Sequence, residues 1–248
     1  MANQFLVKNT MADMRALSAI EIAALQNGTY DGVELLGYHE KGDTAAPIIY
    51  YLAPVSPDPG ADDGGRVIAV QSNKLVHEFA DQIDVRYFGV SATITDNTVQ
   101  FQKLVNLAIV KGLNVYFDGF YAIKNIQIDQ ANNIKFYSNN GGLYQYVAGR
   151  NFINLTNSSK VTFEGLKIKG FGQFEIPQGE SGTYYHNVYI SDCSEISFDR
   201  CEVFNATRGG ILSIRTNYLS VNNCRFYQNR SMFDLSYGYT HTKYDGRP

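Results

Sequence analysis

Four stretches of the chain carry one pattern of apolar and polar positions. Take Ile134, Val161, Ile196 and Leu219 as a common origin; two residues on stand Phe136, Phe163, Phe198 and Val221, and two residues before stand Asn132, Ser159, Ser194 and Asn217. Eight residues before the origins are Ile126, Ile153, Val188 and Ile211; six before are Ile128, Leu155, Ile190 and one polar exception, Ser213. Five residues after the last three origins come Leu166, Cys201 and Cys224, with Ile168, Val203 and Phe226 two beyond. Alternation at period two marks strands that bury one face. Each unit therefore reads strand, polar turn, strand, turn, strand.

The origins lie 27, 35 and 23 residues apart, a period in the low twenties with insertions. That is too short for a four-stranded propeller blade, and the leucine-rich-repeat consensus is missing. One coil of a parallel β-helix fits. Identical positions in successive coils then stack at about 4.8 Å, and the Phe, Cys and Asn/Ser columns fill a narrow core and its turns. The predicted fold class is mainly β: a right-handed single-stranded parallel β-helix over residues 83–248, capped by a short helix and preceded by a small α+β module over residues 1–82.

The cap is the segment in which Asp96-Asn97-Thr98 precedes Val99, Phe101, Leu104, Val105, Ala108 and Ile109 at helical spacing, ending at Lys111-Gly112. A strand at Val115 to Phe117 follows, and Val85 to Gly89 reads as a strand before it. In the leading module, Thr10 caps a helix carrying Met11, Met14, Leu17, Ile20 and Leu25, which ends by Asn27-Gly28. Apolar runs at Val33 to Tyr38, Ile48 to Leu52, Val67 to Val70 and Leu75 to Phe79 read as strands. Pro54 to Gly65 is a long surface turn, and the boundary falls near Asp81.

Composition narrows the function. With 18 Tyr, 15 Phe, 22 Gly and no Trp the chain leans to β structure, and a net charge of −3 gives no basic footprint for nucleic acid. The opening MANQFLVKNT leads into no apolar stretch, so no secretory signal and no membrane insertion are expected. Cys193, Cys201 and Cys224 lack metal-ligand spacing and the four His are scattered, so neither metal nor cofactor is expected, and the thiols read as buried and reduced.

Residues Asp84 to Ile123 resemble the opening of the pectate-lyase-like β-helix of phage tailspikes and polysaccharide-degrading enzymes. The resemblance rests on Phe88-Gly89-Val90, Asp96-Asn97-Thr98 and Val115-Tyr116-Phe117-Asp118-Gly119-Phe120-Tyr121; Ser91-Ala92-Thr93 stands in place of a Gly-Asp-Gly loop. The leader is similar to a module that often precedes such β-helices in phage tail proteins, through Met11-Ala12-Asp13-Met14-Arg15-Ala16-Leu17, Leu36-Gly37-Tyr38, Lys41-Gly42-Asp43, Tyr50-Tyr51 and Asp62-Asp63-Gly64-Gly65. These resemblances imply a bacteriophage tail spike or tail fibre protein located in the virion tail and assembled in the host cytoplasm. They imply residues 1–82 as a virion-attachment module, a homotrimer, other phage tail proteins as partners, and a host cell-surface polysaccharide as receptor.

An active polysaccharide lyase or glycosidase is the alternative. Its chemistry needs paired carboxylates or a basic residue beside acidic groups. The coils offer Glu164, Asp192, Glu195, Asp199, Glu202, Asp234 and Arg208. They read as an outer solvated face, with no carboxylate pair in cross-coil register, so catalytic residues remain unassigned. The longest insertion, Gly170 to Asn187, combines Phe171, Phe174, Glu175, Glu180, Tyr184, Tyr185 and His186. Aromatic faces beside hydrogen-bonding groups suit a sugar ring, and suit a subunit interface equally well.

Overall fold

The computed structural model describes residues 4–147, 150–172 and 185–229, and the backbone of Ser231–Ser236 and Thr242–Asp245. The chain forms two compact units, residues 1–90 and 91–248. The division falls after Val90, a little beyond residue 82, because Val85 to Phe88 pack with the first unit. Tyr87 Oη donates to the carbonyl of Ala46, and the rings of Phe79 and Phe88 lie 6.2 Å apart.

In the first unit, β1 (Phe5–Lys8) precedes α1 (Met11–Arg15) and α2 (Ala19–Gln26), and β2 (Gly32–Leu35), β3 (Ile48–Leu52), β4 (Val67–Val70) and β5 (Asn73–Val76) follow. They form one sheet in the order β1-β2-β3-β5-β4. The single helix expected from Thr10 to Asn27 is two helices. Ser18 starts the second with a capping box, its Oγ accepting from the Glu21 amide while Glu21 accepts from the Ser18 amide. The axis therefore changes at Ala16 to Ser18, and Ile20, expected on the apolar face, is 83% exposed. The core gathers Met11, Met14, Leu17, Leu25, Val33, Tyr50 and Leu75.

The acidic motifs of this unit organise its turns. Asp43 accepts from the backbone amides of Tyr38, His39 and Glu40, and Asp63 from those of Gly65, Arg66 and Val67. Val85 to Phe88, expected as a strand, is a 3-10 turn capped by the Asp84 carboxylate and closed by Gly89 in the left-handed region, φ 74°. A Cβ at Gly89 would stand 2.3 Å from the ring of Tyr38, so close packing and backbone geometry both require glycine.

The second unit is a parallel β-helix of three sheets. The first sheet stacks Ile126–Asp129, Ile153–Thr156 and the leading halves of Val188–Asp199 and Gly209–Asn222. The second stacks Asn114–Phe117, Asn132–Ser138, Ser159–Glu164 and the trailing halves of the same two long strands. The third stacks Phe120–Ile123, Gly142–Gln145, Lys167–Lys169, Glu202–Phe204 and Arg225–Tyr227. Every pairing is parallel and follows the register given by the repeat: Ile134 opposite Val161, Phe136 opposite Phe163, Ile196 opposite Leu219. The coils wind in the right-handed sense that such crossovers obey.

Corners are made by left-handed residues in columns. Asn133, Lys160, Glu195 and Tyr218 precede the four origins with φ between 53° and 59°. Gln130, Asn157, Asp192 and Arg215 form a second corner column. A β-helix turns sharply between sheets, and one αL residue per corner provides the bend at a cost that in-register pairing offsets.

The cap helix α3 (Thr98–Lys111) buries Phe101, Leu104, Val105 and Ala108, and Gly112 ends it with φ 67°. The Asn97 side chain does not cap it. It is fully buried, accepts from the amide of Ser91 and donates to the carbonyls of Ser91, Ile94 and Ala122. Asp96 caps the Thr98 amide instead. Gln102 exchanges hydrogen bonds with the backbone of Gln127, satisfying polar groups along the edge of the first coil.

The three cysteines are buried and free; Cys201 and Cys224, placed in successive coils, are linked by a hydrogen bond from the Cys201 amide to the Cys224 Sγ at 3.3 Å.

Candidate functional site

Side chains at each origin and two residues on fill the core of the second sheet, so the residues between and beyond them face out. One outward row runs Tyr116, Tyr137, Glu164, Asp199, Asn222 across five coils, each opposite the next. The adjacent outward row carries Lys135, Thr162, Ser197 and Ser220. Strand spacing of about 4.8 Å makes these rows a continuous polar and aromatic surface on a rigid support.

Sequence reasoning expected no carboxylate pair in cross-coil register. Glu164 and Asp199 are such a pair. Both stand three residues after their origins, Val161 and Ile196, so the alignment that revealed the core columns also contained this one. Arg200 binds both: it contacts Glu164 Oε1 and lies 3.0 Å from Asp199 Oδ2. Lys135 Nζ lies 3.1 Å from the other Glu164 oxygen and 5.0 Å from the centre of the Tyr137 ring. The rings of Tyr116 and Tyr137 are 5.2 Å apart. Both Glu164 oxygens are thus engaged by cations.

Two recesses meet at Glu164. One, of about 470 Å³, is lined by Asn114, Asn133, Lys135, Lys160 and Thr162; the other, of about 250 Å³, by Tyr137, Asn140, Lys167, Arg200 and Glu202. Glu202 Oε2 accepts from Tyr227 Oη at 3.0 Å, and Lys167 Nζ donates to Asn140 Oδ1 at 2.6 Å.

Asp192 has its partner outside this cluster. Asp192 forms a two-pronged pair with Arg215 at 2.5 and 2.6 Å; this pair and the Ser191 hydroxyl hold its carboxyl down at about 2. Glu195 is an exposed corner residue. The side chain of Asp234 lies outside the described residues. Arg208 donates its amide to the Tyr185 carbonyl.

Of the insertion candidates, Phe174, Glu175, Glu180 and Tyr184 lie outside the described residues. Phe171 and Tyr185 are half-buried at its two ends. His186, expected in the contact set, is built into the coil: it is buried, its amide donates to Asn151 Oδ1 and its carbonyl accepts from Phe152. Asn187 pins the base of the insertion, donating to the carbonyls of Ile168 and Phe204, and leaves no room for a Cβ at Gly170.

Sequence reasoning missed a second aromatic group on the outer face of the third sheet. Phe204 and Tyr227 are register partners stacked 4.7 Å apart, and Phe120 lies 5.2 Å from Tyr144. Phe204 and Tyr227 follow the inward residues Val203 and Phe226 by one position, so the column alignment held the signal.

Among the described residues, no group of three or more His, Cys, Asp or Glu is gathered as a metal site, and no helix is long and apolar enough to cross a membrane.

No family model matches the chain, and no curated protein matches it. Solved structures do. The tailspike protein of Acinetobacter phage vB_ApiP_P1 aligns over 94% of this chain and 52% of its own, at 12% identity and a TM-score of 0.52. Tailspike protein 2 of the Escherichia coli O157:H7 bacteriophage CAB120 aligns over 98% of this chain and 51% of its own, at 13% identity and a TM-score of 0.36. A glycosyl hydrolase of Parabacteroides merdae aligns over 68% of this chain and 94% of its own, at 12% identity and a TM-score of 0.43. The fold is thus a tailspike-like parallel β-helix, and the chain spans about half the length of the tailspikes it matches.

Proposed function

We propose that this chain is a bacteriophage tail spike or tail fibre component in the virion tail, whose β-helix binds a polysaccharide of the host surface through the outer face of its second sheet. The observation that carries the reading is the in-register row Tyr116, Tyr137, Glu164, Asp199 flanked by Lys135 and Arg200. Aromatic faces stack on sugar rings, and ion pairs already formed in the free protein orient hydroxyl contacts at little further entropy cost. Support also comes from the phage tailspike alignment, which extends over 94% of the chain. On this reading residues 1–82 attach the protein to other tail proteins. Three copies close around an axis, since a flat sheet face repeated by three-fold symmetry leaves no open heterologous surface.

A second reading has one observation in its favour. Glu164 and Asp199 are register partners on strands about 4.8 Å apart, and retaining glycosidases hold their two carboxylates about 5 Å apart. Engagement of both Glu164 oxygens favours binding over proton transfer.

One experiment separates these. The full chain is tested against immobilised bacterial surface polysaccharides, with reducing-end release followed in parallel. Replacing Tyr116 and Tyr137 together by Ala is expected to weaken binding about tenfold, at roughly 0.5–1.5 kcal/mol per stacking contact. Release of reducing ends that stops in Glu164→Gln would establish the hydrolase. Binding untouched by the Tyr pair but lost in Tyr185→Ala would move the site to the insertion.

A further inference from the structure

We infer that the polysaccharide is a neutral polymer lying along the axis of the β-helix, in a groove that crosses the strands of the second sheet from Lys135 to Tyr218; this rests on the glycan-binding reading above. The floor of the groove is the outward row Lys135, Thr162, Ser197 and Ser220, each opposite the next in register. Beyond Lys135 it is made of short hydroxyl side chains. On one side stand Glu164, Asp199 and Asn222, and on the other the left-handed corner residues Lys160, Glu195 and Tyr218, so longer side chains flank shorter ones through three coils.

The recess of about 470 Å³ reaches Thr162, and a further recess of about 400 Å³ is lined by Glu195, Ser197, Tyr218 and Ser220. Ser197 Oγ donates to Thr162 Oγ1 at 2.9 Å, so the two recesses adjoin at a hydrogen bond between their own lining residues. From the strand of Asn114 to that of Ser220 there are four strand spacings, about 19 Å at about 4.8 Å each. That is room for several sugar rings in a row.

Charge along the groove is compensated residue by residue. Lys135 and Arg200 hold Glu164, Arg200 also pairs with Asp199, and Lys160 and Glu195 are neighbours in the corner column, each following one of the register partners Ser159 and Ser194. At the rim Lys167 lies opposite Glu202. An ionised ligand would enter only by displacing one partner of a pair or by standing beside a like charge, and either cancels its gain. Sugar hydroxyls carry no such penalty, because they both donate and accept, and the fixed ion pairs and floor hydroxyls offer both roles.

Tyr218 marks the far end of the groove. It is 62% exposed although it stands at a corner with φ 59°, a conformation that a bulky side chain adopts against its steric preference and that Asn or Gly would relieve. Core packing does not account for a ring that exposed. Beside a recess floored by Ser197 and Ser220 it supplies an aromatic surface on which an uncharged sugar ring stacks.

The test titrates the full chain with neutral dextran and pullulan, with anionic hyaluronate and polygalacturonate, and with the neutral and acidic bacterial polysaccharides of the assay above, at low and at physiological salt. The polymer bound most tightly is expected to be neutral, its affinity changing by less than about twofold between the two salt conditions. Tyr218→Ala is expected to weaken it about three- to tenfold, the scale of one stacked ring. Ser197→Leu puts bulk at the junction of the two recesses and is expected to weaken it about tenfold or more, since the blocked groove leaves a single recess to bind. Asn154→Leu makes the same kind of change at an outward position of the first sheet and is expected to change nothing. An acidic polymer bound most tightly, or affinity that falls steeply with salt, overturns the neutral assignment and leaves glycan binding standing. Affinity that survives either Tyr218→Ala or Ser197→Leu, or that is lost equally in Asn154→Leu, overturns the groove. Binding to none of these polymers overturns both readings.

Discussion

Phe163 and Phe198 stack face to face inside the β-helix, with ring centroids 4.8 Å apart and planes 9° from parallel. The ring distance equals the inter-strand spacing of the sheet that carries them, so backbone register alone sets the stack. Phe136 extends it on one side at 5.4 Å, and Val221 faces Phe198 on the other.

Phe198→Ala is therefore expected to remove a fully buried ring from the middle of a continuous column. Loss of Phe from a core costs about 3–5 kcal/mol, because neighbours fixed by register collapse little into the space. Phe198→Leu, which refills most of the volume, should cost clearly less. Urea unfolding monitored by far-UV circular dichroism measures both, and an Ala variant within about 1 kcal/mol of the parent would show that the column relaxes freely.

The columns were legible in the sequence because a β-helix converts three-dimensional stacking into one-dimensional recurrence. Phe163 and Phe198 meet in space since each follows its origin by two residues. The same arithmetic held Glu164 with Asp199, and Phe204 with Tyr227; these were missed because attention to apolar alternation selects the inward half of every strand. Outward residues alternate just as strictly. The break at Ser18 was also visible, as a Ser with Glu three residues on, but the apolar spacing from Met11 to Leu25 continues across it. The Asn97 network was not legible, since its partners Ser91 and Ala122 are backbone groups brought together only by the fold.

Ser213 interrupts the inward column of Ile128, Leu155 and Ile190, and its buried hydroxyl has no hydrogen-bond partner among the described residues. An unsatisfied buried hydroxyl costs about 1–3 kcal/mol. Ser213→Ala removes it without adding volume and is expected to raise stability by about 1 kcal/mol. Differential scanning calorimetry gives the shift; a lower unfolding temperature would mean that the hydroxyl is engaged.

Glu21 links the second helix to the first strand. Lys8 Nζ donates to its Oε1 at 2.6 Å, and the Ser18 amide and hydroxyl donate to Oε2 at 2.8 and 2.9 Å. With Lys8 as the leading cause and the Ser18 amide next, its carboxyl titrates at about 2, below the ordinary 4.5. A carboxyl depressed on folding stabilises the protein fully above its ordinary range, and that contribution fades as pH falls through the interval from about 4.5 to about 2. Glu21→Gln keeps the shape of the side chain but loses the charge. The parent should therefore be more stable than the Gln variant at neutral pH, with the gap narrowing as pH drops through that interval. Urea unfolding of both proteins across the pH range reads the gap directly. A gap independent of pH would assign the effect to hydrogen-bond geometry in the capping box rather than to the carboxylate charge, because the Gln amide oxygen still accepts from Ser18 while its neutral head gives Lys8 no ion pair.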